Sequence, residues 1–277
     1  ILMVPAGKPV DAVLENIKSL LSKGDIVIDA GNSYFKDTNR RVTDLATLGL
    51  HLMGMGVSGG EKGARFGPSI MPGGDLEAFH SVRSMLEAIS AKVNGESCTA
   101  YMGKYAAGHY VKMVHNGIEY AIMQLISEAY DLLHRGANLN NDQLYEVFKD
   151  WNKGELNSFL IEITRDIFKQ KDAVTGGFLV DQILDKAGSK GTGKWTSEEA
   201  LENGVAIPTI DAAVASRTLS SYKEERVLAS RLYSKPEIIA PENTELFIKE
   251  VGDALFLATL ISYTQGLSLL VKASEDY

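Results

Sequence analysis

Apolar positions in the first hundred residues follow two different periods. Short unbroken apolar runs predict buried strands at 1–4, 26–30 and 50–55. Apolar residues at spacings of three and four predict helices at 9–23, 37–48 and 76–89. Strands that alternate with helices are typical of parallel βαβ units packed as a doubly wound sheet. The pattern therefore predicts an α/β domain over residues 1–105.

After residue 105 only the helical period remains. The segment 108–135 carries an apolar stripe, and Gly136 supplies a stop signal for a helix. Further amphipathic segments are predicted at 141–151, 155–169, 178–187, 208–233 and 244–274. We therefore expect an all-α helical domain over residues 106–277.

Both ends of the chain are abrupt. The residues 1–4 read as the body of a buried strand with no initiator methionine, and 273–277 contains no helix stop signal. This pattern predicts an internal piece, truncated at both termini, of a longer protein. The alternative is a small domain with frayed ends.

Composition narrows the function classes. Hydrophobic residues make up 45% of the 277 residues and charged residues 23%, the ordinary range for a soluble globular protein. The net charge of −8 argues against a nucleic-acid partner, and the absence of a run of 18 apolar residues argues against a membrane span. Because Cys98 is the one cysteine, no intrachain disulfide or cysteine-based metal site is expected, which fits a reducing compartment.

The long helical segment carries a mixed polar face. Lys112, His115, Asn116 and Glu119 stand at i, i+3, i+4 and i+7, so one face presents all four. A solvated face is the ordinary interpretation of such a pattern. The mixed chemistry and the mid-helix Gly117, which costs about 1 kcal/mol and suggests a close approach, favour an active site instead. Lysine acts as a general base only where burial or a nearby cation lowers its pKa.

A glycine-rich stretch follows the third predicted strand. Ser58, Gly59 and Gly60 bring a hydroxyl and bare amides to a strand end, which suits a carboxylate or phosphate. The alternative is a tight glycine turn without a ligand. A second loop, Gly31-Asn32-Ser33, closes the strand at 26–30, and ligands of such folds bind at the carboxyl ends of the strands.

A third glycine-rich stretch at 188–195 nearly matches the P-loop pattern. Trp195 stands where the magnesium-binding Ser or Thr would be, and a helical segment precedes the stretch, so we do not expect an NTPase. Lys190 and Thr192 on a flexible glycine loop could instead bind a phosphate, with Arg217 as a bidentate partner. Taken alone, Arg217 would more often be a surface ion-pair residue.

Together these segments resemble the 6-phosphogluconate dehydrogenase family. The matching segments occur in the family's order across almost the whole chain: 31–33, 37–41, 57–61, 108–120, 190–196 and 216–221. The resemblance implies a truncated Rossmann-like coenzyme domain followed by an all-α helical domain for substrate binding and dimerisation. It also implies oxidative decarboxylation of 6-phosphogluconate to ribulose 5-phosphate and CO2 with NADP, NAD being possible, in a cytoplasmic homodimer without a metal.

The resemblance also implies roles for individual residues. Lys112 resembles the general base that takes the proton of the C3 hydroxyl and later protonates the enolate oxygen. Glu119 resembles the acid that protonates C1 of the enediol. The implied substrate ligands are Asn32, Ser58, Gly59, Gly60, His115, Asn116, Tyr120, Lys190, Thr192 and Arg217. The implied cofactor contacts are Val4, Pro5, Ala6 and Asn32.

The chain departs from the family's pattern at several points. The unit with the Gly-x-Gly-x-x-Gly fingerprint is absent, as is the tail that lends an arginine and a histidine to the neighbouring subunit's site. Pro5 replaces an expected lysine, and Ala121-Ile122 replaces the usual Gly-Asp. Two alternatives stay open: another β-hydroxyacid dehydrogenase, of the 3-hydroxyisobutyrate type, and a catalytically inert, partner-binding fragment.

Overall fold

The computed structural model describes residues 1–233 and 237–277. Contacts divide the chain into two compact units, Ile1–Asn116 and Gly117–Tyr277. The division falls inside a single helix, α5 (Ala107–Asp131). The domain boundary expected near residue 105 lies just before this helix and stays a prediction.

The first unit alternates strands and helices, as the hydrophobic pattern predicts. Its elements before α5 are α1 (Lys8–Ile17), β1 (Ile26–Asp29), α2 (Phe35–Ala46), β2 (His51–Ser58), α3 (Gly60–Phe66), β3 (Ser69–Gly73), α4 (Leu76–Ile89), β4 (Lys92–Val93) and β5 (Glu96–Ser97). The predicted first strand is reduced to one parallel bridge between Leu2 and Asp29. The sequence pattern does not predict α3 and β3, whose glycines obscure any period, or β4 and β5, which have only two residues each.

The sheet of this unit is mixed. β1 and β2 are parallel, and Ile26 lies opposite His51. β2 and β3 are antiparallel, and Gly54 lies opposite Gly73. The strands predicted from the sequence pair in parallel as expected, and the antiparallel strand is β3, which the sequence pattern does not predict. The seven-residue helix α3 joins β2 to β3, and a parallel crossover needs a connection of roughly a dozen residues or more.

Apolar side chains cover both faces of this sheet. One cluster includes Ile28, Met53 and Ile70 and packs against α4. The other includes Val27 and Leu52 and packs against α1 and α2. Neighbouring strand residues thus enter opposite clusters, which explains why the strands read as unbroken apolar runs.

The second unit is helical, as predicted. After α5 it contains α6 (Asn141–Trp151), α7 (Phe159–Ile167), α8 (Thr192–Glu202), α9 (Pro208–Ser221), α10 (Lys223–Leu232) and α11 (Thr244–Asp276). Three expectations are wrong in detail. The segment 178–187 holds only a 3-10 turn, Leu179–Gln182. The segment 208–233 forms two helices. Residues 192–195, expected in a flexible loop at 188–195, instead begin the helix Thr192–Glu202.

The break between α9 and α10 has a local cause. Tyr222 leaves the helical region with ψ near 54°, so the backbone turns there. The guanidinium of Arg226 donates to the carbonyl oxygens of Ser220 and Asp185 and thereby stabilises the bend. Because no glycine or proline occurs at this position, the hydrophobic pattern predicts one continuous helical segment there.

The helix α11 has an unusual apolar content. Within the described residues it is long and apolar enough to cross a membrane, by length and composition alone. One helix of this kind is weak evidence for a membrane span, since helices of soluble proteins pass the same test.

A buried guanidinium links α1 to α2 and makes the stability of the first unit depend on pH. Arg41 is 2% exposed and donates to Asp11 at 2.8 Å. This bond, opposed by partial burial and reinforced by Arg40, lowers the pKa of Asp11 to about 2. Because the folded-state pKa lies below the unfolded one, the stabilisation is complete above pH 4 and is lost as pH falls from about 4 to about 2.

We therefore expect Asp11→Asn to lower stability near neutral pH and to flatten its acid dependence. The Asp11 side chain is 41% exposed, so solvent screening limits the pH-dependent part to about 1 kcal/mol or less. Urea unfolding of both proteins between pH 2 and pH 6 measures it. Asp44→Asn, which removes a longer ion pair to Arg40, is the matched control. Parallel acid profiles for wild type and Asp11→Asn would contradict this account.

Candidate active site

The first turns of α5 lie in direct backbone contact with the sheet. A Cβ atom on Gly108 would collide with the carbonyl oxygens of Gly54 and Met71, and one on Gly73 would collide with the amide of Gly108. Facing glycines therefore allow the helix to approach β2 and β3 more closely than side chains would permit. This contact fixes where the following turn of α5 lies in the first unit.

Lys112 lies on that following turn and is 8% exposed. A Cβ atom on Gly56 would collide with the Cβ atom of Lys112, so the lysine stem packs on the backbone of β2. The amine Nζ lies 3.5 Å from Nδ1 of His115, which in turn lies 3.3 Å from Oδ1 of Asn116. The polar face predicted from the sequence is therefore a largely buried cluster of an amine, an imidazole and an amide, not a solvated surface.

Ser58 is the last residue of β2, and α3 begins two residues later. The strand continues past its predicted end at residue 55, so that Gly56 also belongs to it. Gly59 and Gly60 have φ values of 140° and 56°, which side-chain-bearing residues rarely adopt. Successive unusual backbone conformations of this kind turn the amides of a short loop toward one point, as an anion nest requires.

The loop after β1 is held on both sides of Asn32. The Asp29 carboxylate accepts hydrogen bonds from the Gly31 amide at 3.0 Å and from the Ser33 hydroxyl at 2.7 Å. A Cβ atom on Gly31 would lie 3.0 Å from the carbonyl oxygen of Val4, so the chain after the Leu2 bridge passes directly beside this loop. The expected cofactor contacts of the two segments are thus neighbours, and the adjoining Pro5 and Ala6 are exposed.

In the second unit, Arg217 contacts Tyr120 and the loop that precedes α8. The guanidinium of Arg217 stacks 3.8 Å from the ring centroid of Tyr120. It also donates to the carbonyl oxygen of Gly188 at 2.7 Å. The structure therefore brings together Arg217, Tyr120 and the loop that carries the exposed Lys190.

The expectation of a flexible loop at 188–195 is wrong from residue 192 onward. Gly191 has a left-handed conformation, and Thr192 begins α8 and is buried. A Cβ atom on Gly193 would lie 2.7 Å from the Tyr120 ring. This turn of α8 therefore packs tightly against the ring on which the Arg217 guanidinium stacks. The close approach inferred at Gly117 is likewise made by the protein, through the side chain of Thr196.

Glu119 follows Lys112 by seven residues on the same continuous helix and is half-buried. His109, one turn before Lys112, has no role predicted from the sequence; it is buried and hydrogen-bonded to Thr38. The sequence feature that could have indicated a role is a histidine next to a glycine in an otherwise apolar turn of the helix. Among the described residues no group of three His, Cys, Asp or Glu side chains is arranged to hold a metal ion.

Comparison with known families decides the relationship. The family model described as the C-terminal domain of 6-phosphogluconate dehydrogenase matches residues 108–277. The model for the NAD binding domain of 6-phosphogluconate dehydrogenase matches residues 1–131. The chain belongs to the 6-phosphogluconate dehydrogenase family. Its two matched regions overlap along α5.

Individual relatives agree with this membership. The chain is 57% identical over its whole length to the NADP(+)-dependent, decarboxylating 6-phosphogluconate dehydrogenase of Bacillus subtilis, and covers 59% of that protein. It is 54% identical to the decarboxylating 6-phosphogluconate dehydrogenase of a Synechocystis strain and covers 58% of it. The chain thus spans somewhat under three fifths of the length of these relatives.

Solved structures place the fold in the same family. The 6-phosphogluconate dehydrogenase of Plasmodium falciparum, studied in its apo form and with NADP+ and 6-phosphogluconate, aligns with a TM-score of 0.94. That match has 46% identity and covers 99% of this chain and 59% of the other. A 3-hydroxyisobutyrate dehydrogenase from Salmonella typhimurium aligns with a TM-score of 0.59 at 18% identity. The alignment covers 78% of this chain and 71% of the Salmonella chain, and it shows a shared fold.

Proposed function

We propose that the protein oxidatively decarboxylates 6-phosphogluconate to ribulose 5-phosphate and CO2 with NADP. The observation that carries this proposal is the buried Lys112, which lies beside His115 and Asn116 on a helix pressed against the sheet. An amine in such a place can lose its proton and act as a base, as few exposed lysines can. Membership of the family supplies the reaction class.

In the proposed mechanism, neutral Lys112 removes the proton from the C3 hydroxyl of the substrate while C3 is oxidised. The resulting β-keto acid breaks its bond to the carboxylate, and the electron pair moves onto the C3 oxygen as CO2 departs. Protonated Lys112 returns its proton to that oxygen. Glu119, on the same helix, then protonates C1 of the enediol. His115 and Asn116 hold the hydroxyls, while Ser58, Gly59 and Gly60 bind the carboxylate.

The residues present fit the nicotinamide end of a dinucleotide. Val4 and Gly31 end neighbouring parallel segments, and a Cβ atom at residue 31 would lie 3.0 Å from the Val4 carbonyl oxygen and 3.1 Å from the Asp29 carboxylate. Ligands of doubly wound folds bind at such strand ends. Val4, Pro5, Ala6 and Asn32 would line this part of the site. When bound, NADP accepts the hydride from C3; NAD is the alternative acceptor.

Arg217, Lys190 and Thr192 are proposed to bind the 6-phosphate. Arginine and lysine supply the positive charges, and the amide end of α8 adds partial positive charge. We expect Arg217→Met to raise KM for 6-phosphogluconate about 10- to 100-fold, the value of a lost charge-assisted hydrogen bond, and to leave kcat nearly unchanged. Initial-rate kinetics give both constants.

The control is Arg231→Met, which removes an exposed arginine of α10. It should leave KM unchanged. An Arg217→Met variant with wild-type KM, or with KM raised equally for unphosphorylated gluconate, would remove Arg217 from the phosphate site.

Assembly and location form part of the proposal. We propose a cytoplasmic homodimer, with 6-phosphogluconate as the small-molecule partner. Leu257, Leu260 and Val271 of α11 are exposed in the isolated chain, which is consistent with coverage by another surface. Light scattering on the purified protein measures the assembly, and a monomeric mass would contradict it.

A substrate comparison tests the proposed reaction against its nearest alternative. The protein expressed from its complete reading frame is assayed with 6-phosphogluconate, gluconate and 3-hydroxyisobutyrate, each with NADP and with NAD. The proposal predicts that kcat/KM is highest for 6-phosphogluconate with NADP by at least about two orders of magnitude. Preference for 3-hydroxyisobutyrate would favour the other dehydrogenase class, and no turnover of any substrate would favour an inert module.

A further inference from the structure

A buried polar cluster in the first unit has no part in the proposed chemistry. It contains Asp29, Ser33, Thr38 and His109, each at most 4% exposed. Its members come from the end of β1, the following loop, α2 and the first turn of α5. Burying polar groups together costs free energy unless they satisfy one another, so a cluster of this kind imposes a specific arrangement on the elements that it joins.

One end of the cluster holds the loop of residues 30–34, called the Asn32 loop here after its central residue. The two oxygens of the Asp29 carboxylate accept from the Gly31 amide and the Ser33 hydroxyl, which flank Asn32 on both sides. Arg41 lies 3.8 Å from the same carboxylate and balances its charge in the interior. The position of Asn32 therefore depends on Asp29 and on the groups that contact the backbone next to Asn32.

The other end of the cluster is His109. Its Nδ1 lies 2.8 Å from the hydroxyl of Thr38. The same hydroxyl donates to the carbonyl oxygen of Tyr34 at 3.3 Å, so Thr38 connects His109 to the backbone two residues after Asn32. Burial lowers the pKa of His109, while the charge of Asp29 opposes that shift. The lowered pKa favours the neutral imidazole near pH 7.

The imidazole packs closely on the backbone of β2. A Cβ atom on Gly54 would lie 2.8 Å from Nδ1 of His109 and 2.8 Å from the Thr38 methyl group. The ring therefore packs against β2 and α2. His109 is three residues before Lys112 on α5, so a movement of its turn also moves the lysine.

We propose that His109, through its hydrogen bond to Thr38, is a positioning residue. It keeps the Asn32 loop at a fixed position relative to the turn of α5 that contains Lys112. This inference rests on the proposed function, in which Asn32 and Lys112 act on one substrate carbon. A displacement of a reacting group by about 1 Å can lower a rate about 100-fold, so a rigid connection beneath the two groups matters for turnover.

The test uses the full-length protein and variants that differ by single groups. Thr38→Val removes the hydroxyl at constant shape, Thr38→Ser restores it, and His109→Leu removes the imidazole. Leu86→Ala is the matched control, because it removes fully buried side-chain atoms of the first unit from α4, outside the cluster. We expect Thr38→Val and His109→Leu to lower kcat about 10- to 100-fold with KM changed less than threefold.

Additional readouts separate positioning from folding. A 3-deuterated substrate should show a larger isotope effect on kcat in Thr38→Val and His109→Leu, because misaligned hydride transfer becomes rate-limiting. Amide hydrogen exchange at residues 30–34 should accelerate in both variants and not in Leu86→Ala. Thr38→Ser should recover the wild-type rate, and Thr38→Val/His109→Leu should be no slower than His109→Leu alone.

Two results would overturn the inference: wild-type kcat in Thr38→Val and His109→Leu while both are folded, or an equal loss of kcat in Leu86→Ala. Failure of the proposed function has a different signature, namely a wild-type protein that does not turn over 6-phosphogluconate. The exchange of residues 30–34 decides in that case, because unchanged protection in both variants contradicts the connection regardless of the reaction.

Discussion

Lys112→Met is expected to lower kcat by at least about a thousandfold while the protein stays folded. General acid–base catalysis contributes roughly 10²- to 10⁴-fold, and Lys112 is proposed to act twice, first as base and then as acid. Methionine keeps most of the stem that packs on Gly56, so the loss comes from the amine and not from a cavity. Steady-state kinetics and a thermal melt measure the two quantities separately.

Lys104→Met is the matched control, since Lys104 is exposed and lies shortly before α5. Its kcat should stay within twofold of the wild-type value. If Lys112→Met kept more than a tenth of the wild-type kcat, the amine would not be the base, and the proposed mechanism would lose its central residue.

Gly108→Ala is expected to destabilise the protein by about 3 kcal/mol or more. The added methyl group would collide with the Gly54 and Met71 carbonyl oxygens and would lie 2.7 Å from the Gly73 amide. All three obstacles are backbone atoms of the sheet, so no side-chain rotation can relieve the contact, and overpacking of this kind costs at least the usual 1–3 kcal/mol. Alanine would otherwise favour the helix, which makes the sign of the effect diagnostic.

Urea unfolding measures this loss, with Gly154→Ala as the control. A Cβ atom on Gly154 would meet its nearest neighbour at 3.9 Å, an ordinary contact, so that variant should keep its stability within about 0.5 kcal/mol. Any folded Gly108→Ala protein should also lose turnover, because the turn that carries Lys112 would be displaced. Wild-type stability in Gly108→Ala would contradict the backbone contact between α5 and the sheet.

The strongly periodic parts of the chain were predictable from the sequence. α4 was predicted with its observed bounds, and α6 likewise, because each has a clear apolar stripe and a side-chain cap at its start. The polar face of α5 was also recognised, since Lys112, His115 and Asn116 follow helical spacing. These features depend on local periodicity, which a sequence displays directly.

The glycine-rich segments were not predictable in the same way. β3 contains Pro72 and Gly73, and α8 begins between Gly191 and Gly193, so neither shows an apolar period. Both elements form because glycines allow close packing against another element, which is a tertiary effect. The role of Gly117 was misjudged for the same reason: a missing side chain indicates a close neighbour but does not say whether that neighbour is a ligand or Thr196.

Contacts between residues far apart in the sequence also could not be predicted from the sequence. The bond from His109 to Thr38 joins residues 71 positions apart, and the contact of Arg217 with Tyr120 depends on how α9 packs beside α5 in the second unit. The resemblance to the family pointed to many of the candidate residues. It did not supply the buried cluster around Asp29, which became visible only in the structure.

The measurement that tests the central claim most directly is the ratio of CO2 released to nicotinamide reduced, for the full-length protein with 6-phosphogluconate and NADP. The account predicts one CO2 for each reduced nicotinamide in the wild type, and neither product in Lys112→Met. Reduction without CO2 would indicate a simple hydroxyacid dehydrogenase and would contradict the proposed oxidative decarboxylation.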